Sequence, residues 1–275
     1  MQAVASFHYT AIFKKAFSQP DAFTAFVNDI LGIEIKIDKV EISKSLYNPF
    51  GKINSRFDLF AEDKTNHIIV NLQHYPDENN FHLYLHYHSA IIAQDYCPTF
   101  AVYTIVVLTS GDKHERDMLM IDFDPKDRHG VGVGEVPHKI IYLCPKHLND
   151  ETPTAWREWM LAINDSLDEE VDESAYLNEN VQKVLQTIRK DSLTPQDRAF
   201  MKDEYSEEAL RKEERAEAFQ KGIEMGKSEH QEVVDIAANL MDILDDHTIA
   251  QKTGLSLEQV AQLRLDELLE EVKRA

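Results

Sequence analysis

The chain has 275 residues, 43% of them hydrophobic, enough to bury a core in one large domain with an extension or in two domains. Its formal net charge is -20, and the acidity is uneven: residues 151–275 carry 15 Lys and Arg against 30 Asp and Glu, whereas residues 1–150 carry 14 against 19. So acidic a C-terminal part disfavours non-specific contact with a phosphate backbone, while the N-terminal part leaves room for a local basic groove. No apolar stretch is long enough for a membrane span, and MQAVASFHYTAIFKKAF lacks the layout of a signal peptide, so a cytoplasmic protein without a membrane partner is expected. Cys97 and Cys144 have no metal-ligand spacing and read as two buried thiols in a reducing compartment.

In chain order, Ser18-Gln19-Pro20-Asp21 reads as a helix start, with Ser18 as cap, Pro20 in the first turn and Asp21 at the positive helix end. Phe23, Phe26, Val27, Ile30 and Leu31 follow at helical spacing, and Gly32 ends the helix. Residues 37–46 alternate as a strand. Residues 53–60 and 67–73 are two more, joined by the polar turn 62–66. Residues 81–94 read as a helix. AVYTIVVL, from Ala101 to Leu108, suits a strand covered on both faces, and Lys139 to Leu143 is another short strand. Gly130, Gly132 and Gly134 lie in HGVGVGEV, which does not join a strand to a helix as a phosphate loop must, so it reads as a flexible loop or hairpin. This order predicts a mixed α/β domain with a central sheet. Beyond about residue 155 the chain turns helical. Trp156, Trp159, Met160 and Ile163 form an apolar stripe, and residues 206–226 read as a solvated helix of paired charges.

The chemistry gathers on two neighbouring strands. Residues two apart on a strand share a face, so Arg56, Asp58 and Phe60 point one way, and Asn71 and Gln73 point away from Val70 and Leu72. If the strands pair, Asp58 sits beside Asn71 and Gln73. A carboxylate there can hold Mg²⁺, which takes oxygen ligands, polarises a phosphate and lowers the pKa of a bound water. Gln73 stands where a Lys or Gln would orient the attacking water. The plainer alternatives for Asp58 are an exposed strand residue or a partner for Arg56, and for Gln73 a polar strand end. His74, His82, His86 and His88 crowd one region, and His82 and His86 lie one helical turn apart. They read either as a metal pair or as a partly exposed histidine patch able to meet phosphate when protonated.

Taken together, IFKKAF at Ile12 to Phe17, FVNDIL at Phe26 to Leu31, RFDLFAED at Arg56 to Asp63, NLQ at Asn71 to Gln73, Gln94 with Tyr96, YLCPK at Tyr142 to Lys146, the Trp156 and Trp159 helix and TIAQKTGLSLEQVAQL at Thr248 to Leu263 give the chain its character. In their order and spacing these pieces resemble the recombination-promoting nuclease and putative transposase family of the PD-(D/E)XK nuclease superfamily. The resemblance implies a nuclease-like mixed sheet flanked by helices over residues 1–165, with an acidic helical extension over 166–275. It implies Mg²⁺-dependent DNA endonuclease activity with Asp58, Asn71 and Gln73 at the catalytic positions and Asp58 as metal ligand. The sequence departs from that pattern in three places. Asn71 replaces a Glu, Leu83 stands where an Arg is usual, and Thr10 and Ala11 stand where an acid precedes the FK pair. An amide brings no charge, so Mg²⁺ binding is expected to be weak, with Glu62, Asp63 or Asp77 as the nearby acids to consider.

The segment from Thr248 to Leu263 is like a helix-turn-helix, with Gly254 at the turn and Ser256 as cap. Its second helix has Arg264 but also Glu258, Asp266, Glu267, Glu270 and Glu271, which points to packing or protein contact rather than DNA readout. The reading is therefore an impaired endonuclease homologue with DNA as a partner. Its alternatives are an inactive binding or regulatory protein, or a protein-interaction module that forms homo-oligomers through the C-terminal helices.

Overall fold

The computed structural model describes residues 1–46, 55–74, 81–93, 100–241 and 243–274. Asp77, Gln94, Tyr96 and Cys97, named above, and the start of the expected strand over 53–60 lie outside them. The chain divides into two compact units, Met1–Glu204 and Tyr205–Ala275.

The first unit opens with β1 (Gln2–Ala3), α1 (Thr10–Phe17) and α2 (Pro20–Leu31). Pro20 takes the first turn of α2, and Gly32 ends it in the left-handed region, at φ 64°, donating its N–H to the Asn28 carbonyl. Ser18 is not the cap expected of it. It holds an αR conformation at the end of α1, where its Oγ donates to the Lys15 carbonyl, and an N-cap requires extended backbone. Next come β2 (Val40–Ile42), β3 (Ser45–Leu46), β4 (Ser55–Arg56), β5 (Leu59–Glu62) and β6 (Asn66–Gln73). The expected strand over 37–46 is interrupted at Ser43, whose φ of 55° no continuous strand tolerates. The expected strand over 53–60 is interrupted at Phe57 and Asp58. The two interruptions face each other: Ser43 N–H donates to the Asp58 carbonyl at 2.8 Å and Phe57 N–H to the Lys44 carbonyl at 2.8 Å.

Helix α3 (Phe81–Ile92) carries the chain across to β7 (Ala101–Leu108), parallel to β6. Then follow β8 (Met118–Asp122) and β9 (Lys139–Leu143). The main sheet has six strands in the order β2-β5-β6-β7-β9-β8, parallel across β6, β7 and β9 and antiparallel elsewhere. It is a mixed sheet in an α/β unit, as the element order predicts. β8 escaped the sequence reading because MLMID, on the sheet edge, has neither a clean alternation nor a buried run.

Helices cover both faces. Ile68, Val70 and Leu72 of β6, with Ile105 and Val107 of β7, join the core under α1, α2, α4 (Thr154–Ser166) and α5 (Glu179–Thr187). Val106, Leu108, Ile140 and Tyr142 meet Tyr84 of α3 on the opposite face. In β7 every residue but Tyr103 is buried, and each such apolar side chain contributes about 1.5–3 kcal/mol. A chain of aromatic contacts fastens α1: Phe13 to Phe17 at 4.7 Å, Phe17 to Phe26 at 5.0 Å, and Phe26 to Trp159 at 5.4 Å between ring centroids. Strand β10 (Glu170–Val171) pairs with β1. Val181, Val184, Leu185, Ile188 and Leu193 belong to the same core, which carries the first unit past residue 165.

Helix α6 (Pro195–Leu240) is far longer than the expected 206–226, because no proline interrupts it after its first residue. In the second unit its exposed surface carries i,i+4 pairs such as Arg211 with Glu207 at 3.4 Å. The pair α7 (Asp246–Thr253) and α8 (Leu257–Arg274) follows. Gly254 turns between them at φ 78°. Ser256 and Gln259 cap α8 reciprocally: Gln259 N–H donates to Ser256 Oγ and Ser256 N–H to Gln259 Oε1. Ala237, Met241, Ile249, Leu255 and Val260 make a small core of their own.

Candidate functional site at the Asp58 strand break

Helix α1 buries Ile12, Phe13, Ala16 and Phe17, which turns Lys14 and Lys15 off that face. Lys15 pairs with Asp197. Lys14 reaches the break between β4 and β5, where its Nζ lies 2.9 Å from Asp58 Oδ1 and donates to Ser43 Oγ at 3.1 Å. Both ion-pair side chains are mostly buried, 16% exposed for Lys14 and 19% for Asp58. The other carboxylate oxygen of Asp58 accepts the Leu72 N–H at 3.0 Å.

Asn71 is brought to Asp58, as strand pairing requires, but through the backbone. Asp58 N–H donates to Asn71 Oδ1 at 3.0 Å. Asn71 is 4% exposed, and its Nδ2 has no hydrogen-bond acceptor among the described residues. Leaving such a donor unmet costs about 1–3 kcal/mol. Gln73 does not join them: its Oε1 accepts the Tyr84 hydroxyl of α3 at 2.5 Å. Arg56 is exposed, on β4, so the expected continuous face of Arg56, Asp58 and Phe60 is replaced by a break that turns Asp58 toward Lys14.

Glu204 completes the surroundings, and sequence reasoning missed it. Near the start of α6 it caps α1 from outside, its Oε2 accepting the Thr10 N–H at 2.7 Å and its Oε1 the Ala11 N–H at 2.8 Å. These are the positions at which the sequence lacks an acid. Burial raises the Glu204 pKa, opposed by its two amide bonds and by Lys14 and reinforced by Asp58. Tyr87 of α3 stands near enough to Asp58 for that charge to add to burial in raising its pKa. No local signal marks Glu204, which is 194 residues from Thr10 along the chain.

The other nearby acids are committed elsewhere. Asp63 binds the N–H groups of Thr65 and Asn66 in the β5–β6 turn, and Glu62 lies 3.6 Å from His67, at the far end of the hairpin from Leu72. The histidines are dispersed in role. His82 is exposed, whereas His88 is fully buried, stacked on Phe123 at 4.9 Å, with Nδ1 2.9 Å from Thr104 Oγ1. Burial, and His138 after it, lower the His88 pKa to about 3, so this histidine does not meet phosphate as a cation. His74 Nδ1 lies 2.7 Å from Thr109 Oγ1. Cys144 is buried as expected, and burial pushes its thiol up to about 12.

These donors do not fit Mg²⁺. The ion favours anionic oxygens, whereas Asp58 has one oxygen on an ammonium and one on an amide N–H, and the oxygens of Asn71 and Gln73 each face a donor. Among the described residues no three His, Cys, Asp or Glu side chains stand together as a metal site. No protein-family model, curated protein or solved structure matches the chain.

Proposed function

We propose that the chain is a homologue of PD-(D/E)XK-type DNA endonucleases impaired at its metal site, a nuclease-like sheet kept as a binding or regulatory protein. The observation that carries this reading is the Lys14 and Asp58 ion pair beside the amide of Asn71, in the place where two carboxylates and a cation would be needed. The order of helix, broken three-strand meander, crossover helix and parallel strand supports the nuclease-like fold. The test is nicking of supercoiled DNA with Mn²⁺ by the natural chain, Asp58→Ala and Asn71→Glu. We expect no Asp58-dependent nicking from the natural chain and a gain in Asn71→Glu. Nicking by the natural chain that Asp58→Ala abolishes would overturn the impairment.

A second reading concerns the second unit. Its part of α6 leaves Leu210, Phe219, Met225 and Ile236 exposed by 56%, 72%, 64% and 53%. Large apolar side chains on a charged helix favour a protein partner, and self-association is the reading we adopt. Arg264, the basic residue in the middle of α8, is turned inward: Nε donates to Asp246 at 2.9 Å, and the guanidinium reaches the carbonyls of Met241 and Leu244. That leaves it unavailable for reading DNA.

A further inference from the structure

The main sheet has two edges, and they are unlike. β2 is three residues long and stops before Ser43, whose φ is 55°. So short and broken an edge is a poor template for another strand. β8 runs for five residues in unbroken register with β9, from Met118 against Leu143 to Asp122 against Lys139, and MLMID has no proline or lysine to guard it. The loop after it is fixed, with the Asp124 carboxylate accepting the N–H groups of Gly134, Glu135 and Val136 at 2.8, 2.8 and 3.2 Å. Phe123 N–H donates to the His138 carbonyl at 3.2 Å and Cys144 N–H to that of Asp117 at 2.8 Å. Antiparallel ladders alternate, so Leu119 and Ile121 also bond to β9, while Met118, Met120 and Asp122 turn their N–H and C=O groups outward. Among the described residues no strand meets them there. Met120, in the middle, is 47% exposed.

The side chains say which strand fits. Two copies of β8 pair antiparallel where outward-turned residues meet outward-turned residues. A two-fold axis at Asp122 sets that carboxylate against itself, and one at Ile121 sets Arg116 against Lys126; like charges so placed repel. An axis at Met120 wastes Met118 on Asp122, and one at Met118 wastes Met120 on Arg116. An axis at Leu119 matches every pair. Met118 of each copy lies against Met120 of the other, and Arg116 lies against Asp122. Arg116 is exposed and has no ion-pair partner among the described residues, while Asp122 Oδ2 has Lys126 Nζ only at 3.6 Å. We propose that β8 is a docking edge for a second copy of this chain, the two strands pairing antiparallel about Leu119 and joining two six-stranded sheets into one. The surface belongs to the first unit and draws on neither the endonuclease reading nor the exposed face of α6.

The test follows the mass of the full chain by light scattering, with amide exchange as a second readout. Met120→Lys brings a charge from each copy to the seam without touching a bond to β9. Arg116→Asp sets like charges across it. Each should halve the mass of the natural assembly and leave the far-UV spectrum unchanged. An isologous contact is lost whole, so the halving holds even where α6 adds a second contact. Arg116→Asp combined with Asp122→Arg exchanges the two charges and should restore the mass. In the natural chain the Met118 amide should exchange as slowly as that of Leu119. In Met120→Lys it should quicken while Leu119, bonded to β9, stays slow. A monomeric natural chain overturns the proposal, as does a mass unmoved by Met120→Lys or a loss in Arg116→Asp that the exchanged pair does not recover. A halved mass in Met120→Lys with Met118 exchange unchanged overturns it too, because the contact then lies elsewhere. No DNA and no variant of α6 enters the experiment, so its outcome is separate from the endonuclease reading and from self-association of the second unit.

Discussion

Asp58 shows how a single residue can be located correctly in sequence and still have its surroundings misread. Its proximity to Asn71 follows from strand periodicity, and the separation of Asn71 and Gln73 from Val70 and Leu72 is visible in the pattern NHIIVNLQ. Its partner is not visible, because Lys14 comes from a helix whose only local cue is an apolar face. His88 offers a cleaner test at this scale. Its folded pKa of about 3 lies below the 6.5 of an unfolded histidine, so the unfolded chain binds the extra proton between those values. The stability tied to neutral His88 is present above pH 6.5 and is lost as pH falls from 6.5 toward 3, by a total on the order of 5 kcal/mol. Denaturant melts of the natural chain and of His88→Gln at pH 6.5 and 4.5 should show a shallower acid loss in the variant. Equal losses would remove His88 from the acid response.

Among the elements, α2 and α4 are tied by Asp29, which accepts the Trp159 indole N–H at 2.6 Å, while its carbonyl takes the Trp156 indole at 2.9 Å. Asp29→Ala strands the indole donor of Trp159, a residue only 1% exposed, and should cost about 1–3 kcal/mol in a denaturant melt. The first turn of α2 at Pro20, its end at Gly32 and the cap of α8 at Ser256 were legible because these residues act on neighbours in sequence, whereas the cap expected at Ser18 was misplaced. The cap of α1 was not, since Glu204 acts from a distant helix. Glu204→Ala removes both acceptors from the first turn of α1 and should cost about 0.5–2 kcal/mol, read by the same melt. In the second unit, Arg264→Ala breaks a three-point contact between α8 and the residues before and within α7. Amide exchange in 246–264 should accelerate, with DNA affinity at fixed salt unchanged.

For the whole molecule, no helix among the described residues is long and apolar enough to cross a membrane. The acidic balance of the C-terminal part predicts that removing residues 206–275 alters oligomeric mass or melting temperature more than DNA affinity. Light scattering and a DNA titration at fixed salt decide this; loss of DNA binding at unaltered mass and melting temperature would restore the helix-turn-helix to a DNA-reading role. The knitting of residues 2–5 to the far side of the first unit has its own consequence. Gln2 pairs with Val171, Ala5 N–H donates to the Ile188 carbonyl at 2.7 Å, and Lys190 N–H donates to that of Ala3 at 3.1 Å. During synthesis, residues 2–5 must therefore wait for partners that emerge from the ribosome roughly 10–40 s later, at ordinary elongation rates. Over that interval Val4 and Ala5, both fully buried in the finished fold, lack the Glu169 and Ile188 carbonyls that take their N–H groups. A nascent chain halted before residue 190 is accordingly expected to bind a chaperone more strongly than one that has passed it, as pull-down of arrested chains of the two lengths would read.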